Sequence, residues 1–124
     1  MNLRRILGAR GETRAARHLR KTAGHRILKK NYRSPAGEID LVSIDGDTLV
    51  FVEVKTRASD ELADPLDSVD RAKRAQIERA ARHFAMNHRV AHLPMRFDVV
   101  RVVWSPRGAP VIEHFPDAFP ARRG

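Results

Sequence analysis

Asp45-Gly46-Asp47 separates two runs of residues, Glu38 to Ile44 and Thr48 to Thr56, the second of which alternates Val50, Val52 and Val54 with Leu49, Phe51, Glu53 and Lys55. This pattern specifies a β-hairpin. With Gly46-Asp47 as a two-residue loop, glycine takes the first central position of a type II′ turn, where φ is positive. The register then follows. Asp45 faces Thr48, Ile44 faces Leu49, Val42 faces Phe51, Asp40 faces Glu53 and Glu38 faces Lys55. Side chains alternate along a strand, so Glu38, Asp40, Val42 and Ile44 share a face with Leu49, Phe51, Glu53 and Lys55. A slip of one residue would send one set to the other face.

The register sets two carboxylates, Asp40 and Glu53, opposite each other with Cβ atoms about 5 Å apart. At that separation they repel by about 3 kcal/mol for an effective dielectric of about 20. A shared proton, a neighbouring base or a bound cation relieves the repulsion. Lys55 supplies the base. Carboxylate oxygens without His or Cys suit a hard ion, Mg²⁺ or Mn²⁺. The plainer reading is a cross-strand ladder, Glu38 to Lys55, on a solvated face, where such pairs contribute little. Leu49, Phe51, Val42 and Ile44 on the same face argue against full solvation, and the geometry by itself leaves both readings open.

Elsewhere, residues 9–23 have helical periodicity, with Glu12, Ala15, Ala16, Leu19 and Ala23 on one face and Gly24 as a stop. Leu3, Ile6 and Leu7 fall off that face, so 3–7 reads as a separate turn or short helix broken from it by Gly8 and Gly11. Glu12 therefore stands on a core-facing stripe. A first-turn acid is favoured by the helix dipole, but an unpaired buried carboxylate is costly, and a cation or Lys55 nearby would account for it. Arg26 to Arg33 reads as a strand and Ser34-Pro35-Ala36-Gly37 as a turn. Residues 58–70 form an acidic loop leading into a helix from about Ser68 to His88, with Val69, Ala72, Ile77, Ala80 and Phe84 on its buried face. Lys73 and Gln76 lie within that stripe, either snorkelling at the edge of the core or serving a site. Arg96 to Trp104 is a further strand. Pro106, Pro110, Pro116 and Pro120 mark 105–124 as an irregular tail with at most a short strand at Val111-Ile112, frayed over 121–124. The expected order is α-β-β-β-α-β, a mixed α/β sheet flanked by helices, in a single domain over 1–124 with its core at about 8–104.

Composition narrows the function. The chain has 124 residues, 42% of them hydrophobic and none of them cysteine. Disulfides, thiolate metal sites and thiol catalysis are excluded. No apolar run approaches the ~20 residues needed to span a bilayer. The start, Met1 to Gly8, lacks the apolar segment of a signal peptide, so a cytoplasmic location is expected. The six histidines include no His-Glu-x-x-His spacing, and no Gly-rich phosphate loop is present. Lys and Arg number 24 against 15 Asp and Glu, a net charge of +9, which points to a polyanion, nucleic acid before membrane. Arg10, Arg14 and Arg17 on the first helix, and Lys73, Arg74 and Gln76 on the second, are the candidate contacts. They suit phosphates more than bases.

Asp40, then Glu53-Val54-Lys55 on the next strand, behind a helix bearing Glu12, resembles the PD-(D/E)XK nuclease site. The strings Gly37-Glu38-Ile39-Asp40-Leu41 and Phe51-Val52-Glu53-Val54-Lys55-Thr56-Arg57 resemble more narrowly the YraN-like family of small bacterial proteins. The resemblance runs from about Gly8 to Val103 and takes in Gly11-Glu12, Lys73 and Arg96-Phe97-Asp98-Val99-Val100. It departs from the motif in having Ile39, not Pro, before Asp40. The resemblance implies a four-stranded restriction-endonuclease-like core, similar to Holliday-junction resolvases, and Mg²⁺-dependent hydrolysis of DNA, with selectivity for branched DNA and a homodimer. On this reading Asp40, Glu53 and the Val54 carbonyl ligate the metal. Lys55 orients water or stabilises charge, Glu12 assists, and Glu38 is an accessory residue. The alternative is a nucleic-acid-binding module on the same fold that does not cut.

Overall fold

The computed structural model describes residues 3–58 and 69–120. It has the order α1 (Leu3–Lys21), β1 (Arg26–Ser34), β2 (Gly37–Asp45), β3 (Thr48–Ala58), α2 (Arg71–Asn87), β4 (Met95–Trp104) and β5 (Val111–Phe119). The strands form one sheet in that same order, antiparallel except for β3 beside β4, which are parallel and joined through α2. The helices cover opposite faces. Ala15, Ala16 and Leu19 of α1 pack on Leu41, Val50, Val52, Val100 and Val102. Ile77, Ala80, Ala81, Phe84 and Ala85 of α2 pack on Val42, Leu49, Phe51, Phe97 and Val99.

The hairpin forms in the register expected of it. Gly46 has φ +64, and Asp47 is not among the positive-φ residues, as a type II′ turn requires. Asp45 pairs with Thr48, Ile44 with Leu49, Val42 with Phe51 and Leu41 with Val52.

Three expectations are corrected. First, α1 runs unbroken from Leu3 through Gly8 and Gly11. Gly11 is buried where the helix crosses β3, and a Cβ there would collide with Thr56 Oγ1. The glycine serves close approach and does not end the helix. Second, the tail is not irregular. Residues 111–119 form a fifth strand on the edge of the sheet, where Pro116 removes no needed donor. The register shifts between Phe97 and Val99, Asp117 adopts φ +52, and its N–H donates to Asp98 Oδ1 at 2.9 Å. Third, Ala72 is exposed, and Ala81 and Ala85 take part in the helical core. Most of the acidic loop and residues 121–124 lie outside the described residues.

Candidate active site

A break in strand alternation builds the site. Between β1 and β2 the pairs run Lys30 with Leu41, then Tyr32 with Ile39, and skip Asn31 and Asp40. Asn31 sits at φ +53, a conformation asparagine tolerates better than most residues. On either side of this point the faces exchange. Leu41 packs under α1, whereas Ile39 and Tyr32 pack under α2 beside Val42. The expectation that β2 alternates uniformly from Glu38 to Ile44 is thereby corrected. Glu38 does not face Lys55. It lies exposed against Arg33 on β1, Oε1 to Nε 3.8 Å.

The β2–β3 ladder ends at this same level, with Leu41 and Val52. Beyond it the Val54 N–H donates to Asp40 Oδ2 at 2.8 Å instead of to the β2 backbone. In a strand the N–H and C=O of one residue point to the same side, so the Val54 carbonyl also points into this gap. Glu53 and Lys55 alternate with Val54 and share the α2 side of the sheet with Phe51. Lys55 Nζ lies 3.3 Å from Glu53 Oε1, and Lys73 Nζ, from the first turn of α2, lies 3.8 Å from the same oxygen. From the other face, the close crossing at Gly11 brings Glu12 within hydrogen-bonding reach of Asp40.

The structure thus gathers Glu12, Asp40, Glu53, Lys55 and Lys73 from α1, β2, β3 and α2. Burial pushes all three carboxyls up. For Asp40 the value reaches about 6, with Glu12 adding to the rise and the Val54 N–H, Lys73 and Lys55 opposing it. Glu53 is raised by burial and then by Asp40, against Lys55 and Lys73. Glu12 is raised by burial and by Glu53, and its contact with Asp40 opposes that. Because both lysines sit on Oε1 of Glu53, its other oxygen is left for a further cation. The donor set of carboxylates and a carbonyl fits Mg²⁺ or Mn²⁺, which keep several waters and need only one or two carboxylates.

The remaining candidates divide. Gln76 lies across Gly37, where a Cβ would come within 2.5 Å of its Nε2, and its buried Oε1 has no partner among the described residues. Arg74 is committed internally: its Nε donates to Val69 O at 2.9 Å and its guanidinium covers the Phe119 ring at 5.1 Å. Arg10 and Arg17 are exposed and Arg14 half-buried on α1.

A second polar cluster was not assigned a role from the sequence. Among the described residues, His25, Asp98 and His114 are the group that brings three possible ligand atoms within 4.8 Å of one another. A cation is already there, however. Arg96 donates from Nε to Asp98 Oδ1 at 2.9 Å, from Nη2 to Oδ2 at 3.1 Å, and from Nη1 to Asp45 Oδ2 at 2.9 Å. His114 Nε2 and the Asp117 N–H complete the Asp98 shell at 2.7 and 2.9 Å. Both oxygens of this fully buried carboxylate carry two partners, and the guanidinium fills the position a metal would take. The cluster ties β5 and the β2–β3 turn to β4. Its signal in the sequence is Asp98, a charge in a strand whose other buried positions, Phe97, Val99, Val100 and Val102, are apolar.

Residues 11–102 match the protein family described as uncharacterised protein family UPF0102. A UPF0102 protein of Paenarthrobacter aurescens is 42% identical over 114 residues, covering 92% of this chain and 93% of its relative. One from Geobacter metallireducens is 42% identical over 113 residues, 91% of each chain. Another, from Chlorobaculum tepidum, is 45% identical over 103 residues, 83% of this chain and 79% of the relative.

Proposed function

The chain belongs to the uncharacterised protein family UPF0102, and from its acidic cleft we propose that it is a divalent-metal-dependent endodeoxyribonuclease on a PD-(D/E)XK-like core. The observation that carries this reading is that Glu12, Asp40 and Glu53, from three elements, come close enough to act on one another's ionisation beside two lysines. A fold gains no stability from gathering a buried Glu53 with the half-buried Asp40 and Glu12, so the arrangement is best explained by a ligand that needs them.

Asp40, Glu53 and the Val54 carbonyl would hold Mg²⁺ or Mn²⁺. When bound, the ion supplies Lewis-acid polarisation of the scissile phosphate and a lowered pKa for a coordinated water. Lys55, held by Glu53, would orient the attacking water and offset the charge that develops on phosphorus oxygens. Glu12 fixes the Asp40 carboxyl and adds negative charge behind it. Glu38, with Arg33, stands at the rim near Glu12. The substrate is DNA before RNA, met at the acidic site by Lys73 and Gln76 and away from it by Arg10, Arg14 and Arg17 on the outer face of α1, with branched DNA and a homodimeric enzyme as the finer expectations. A cytoplasmic location belongs to the same proposal. Among the described residues no helix is long and apolar enough to cross a membrane.

The test is cleavage of end-labelled linear and four-way-junction DNA with Mg²⁺, Mn²⁺ or EDTA. Metal-dependent cutting is expected, reduced about 10²-fold or more in Asp40→Asn, Glu53→Gln and Lys55→Met. Equal cutting by parent and Asp40→Asn would show that the cleft is not the active site. Metal-insensitive DNA binding with no cutting would favour the non-catalytic module.

A further inference from the structure

The cationic face of α1 is turned away from the cleft. At 3.6 residues per turn, Glu12, Ala15, Ala16 and Leu19 form the inward stripe, and Arg10, Arg14, Arg17 and Lys21 fall within about 60° of arc on the opposite side. The strip is about 16 Å long at 1.5 Å per residue. Like charges at i,i+3 and i,i+4, here Arg10/Arg14, Arg14/Arg17 and Arg17/Lys21, each oppose the helix by a few tenths of a kcal/mol. Soluble helices ordinarily relieve this with interleaved acids. Here the only acid between residues 3 and 23 is Glu12, which faces the sheet. Among the described residues, none of the four cations has an acidic partner. At one end the strip becomes concave: Arg14, Arg17, His18, Lys21 and Thr22 line a groove of about 220 Å³ whose remaining wall is Ile112 of β5.

Charge complementarity selects the occupant. The strip carries no aromatic side chain on which a base could stack, and its cations recur along the axis, so it suits a sugar-phosphate backbone. A membrane surface is a poor match because the apolar face of α1 is already buried in the core. Position then matters. Glu12, which reaches Asp40, stands on the side of α1 that faces the sheet, whereas the strip runs along the opposite side of the helix. One straight duplex with a strand in the cleft does not also lie along the outer face of the helix that covers it.

We propose that the outer face of α1, with its groove against β5, is a second nucleic-acid backbone site that holds a segment other than the one entering the acidic cleft. The proposal rests on the nucleic-acid reading above and extends it from one bound segment to two. Binding alone tests it, without any requirement for cleavage. Fluorescence anisotropy in EDTA, over a series of KCl concentrations, compares a four-way junction with a short linear duplex for the parent and for the Arg14→Ala/Arg17→Ala/Lys21→Ala variant. The parent is expected to prefer the junction. The variant, which removes no ion pair among the described residues, should melt as the parent does. For the junction, its slope of log K against log salt should be shallower by about 3, and the preference over linear DNA should be largely lost. An unchanged slope, or an equal loss for both DNAs, would overturn the proposal. Loss of junction preference in a protein that never cuts would uphold this site while removing the nuclease reading.

Discussion

Asp40 carries the clearest thermodynamic signature. Its carboxyl is pushed up to about 6, chiefly by burial and then by Glu12, from an ordinary value of 3.8. A group whose folded pKa lies above its unfolded one binds its proton more tightly in the native state. Its contribution favours the fold below pH about 4 and is lost as pH rises through about 6. In EDTA, Asp40→Asn is therefore expected to be more stable than the parent at pH 7, by on the order of 2 kcal/mol or several degrees of melting temperature. The asparagine oxygen can still accept from the Val54 N–H. Melting curves at pH 4 and pH 7 check this: the two proteins should converge at the lower pH. A parent as stable as the variant at pH 7 would mean that the three carboxyls are not in conflict. Asp98 has the opposite sign. Burial alone would raise it, but hydrogen bonds from His114, Arg96 and the Asp117 N–H hold it below the ordinary range, so its contribution is present at neutral pH and lost on acidification.

At the scale of elements, two close contacts position the cleft and its support. Gly11 lets α1 cross β3 against Thr56. Gly11→Val should lift the helix, withdraw Glu12 from Asp40 and cost about 1–3 kcal/mol, read by melting together with a weakened Mn²⁺ response. A variant that melts and binds as the parent does would show that the crossing has slack. Asp98→Ala should cost about 3–5 kcal/mol, because it leaves the half-buried Arg96 with Asp45 alone and strips His114 and the Asp117 N–H of their acceptor. Hydrogen exchange should locate the damage at β5 and the β2–β3 turn, and uniform destabilisation with β5 still protected would contradict that role. These contacts also mark how far the sequence could be read. The hairpin register was legible from Asp45 to Leu41 because a glycine turn and strict alternation both specified it, but Asp40 comes near Glu53 beyond the end of that ladder, through its bond with the Val54 N–H and not as a cross-strand pair. The exchange of faces at Asn31 and Asp40 was not legible, because Asn31 looks like any polar strand residue until its opposite position is known. β5 was obscured by Pro116 and by a three-residue bulge whose backbone partner is the Asp98 side chain. Gly8 and Gly11 read as breaks, since local propensity cannot report a helix crossing.

For the whole molecule, the net charge of +9 is unevenly used. On α2, Arg82 is paired with Glu78 at 2.8 Å, Arg74 is held by Val69 and Phe119, and Lys73 leans on Glu53. On α1, Arg10, Arg14 and Arg17 have no acidic partner among the described residues. Composition alone could state the excess but not that α1 carries seven cations against the single acid Glu12, which it turns towards the other carboxyls. The two features together, an acidic point for a metal and a cationic helix for a polyanion, make up the functional account. The most direct test of its centre is a titration of the metal-free protein with Mn²⁺ at pH 7, followed by the loss of the free-ion electron paramagnetic resonance signal. The account predicts saturable binding that is strongly weakened in Asp40→Asn and in Glu53→Gln and unaffected in His114→Gln. Binding that survives both carboxylate substitutions, or none in the parent, would contradict it.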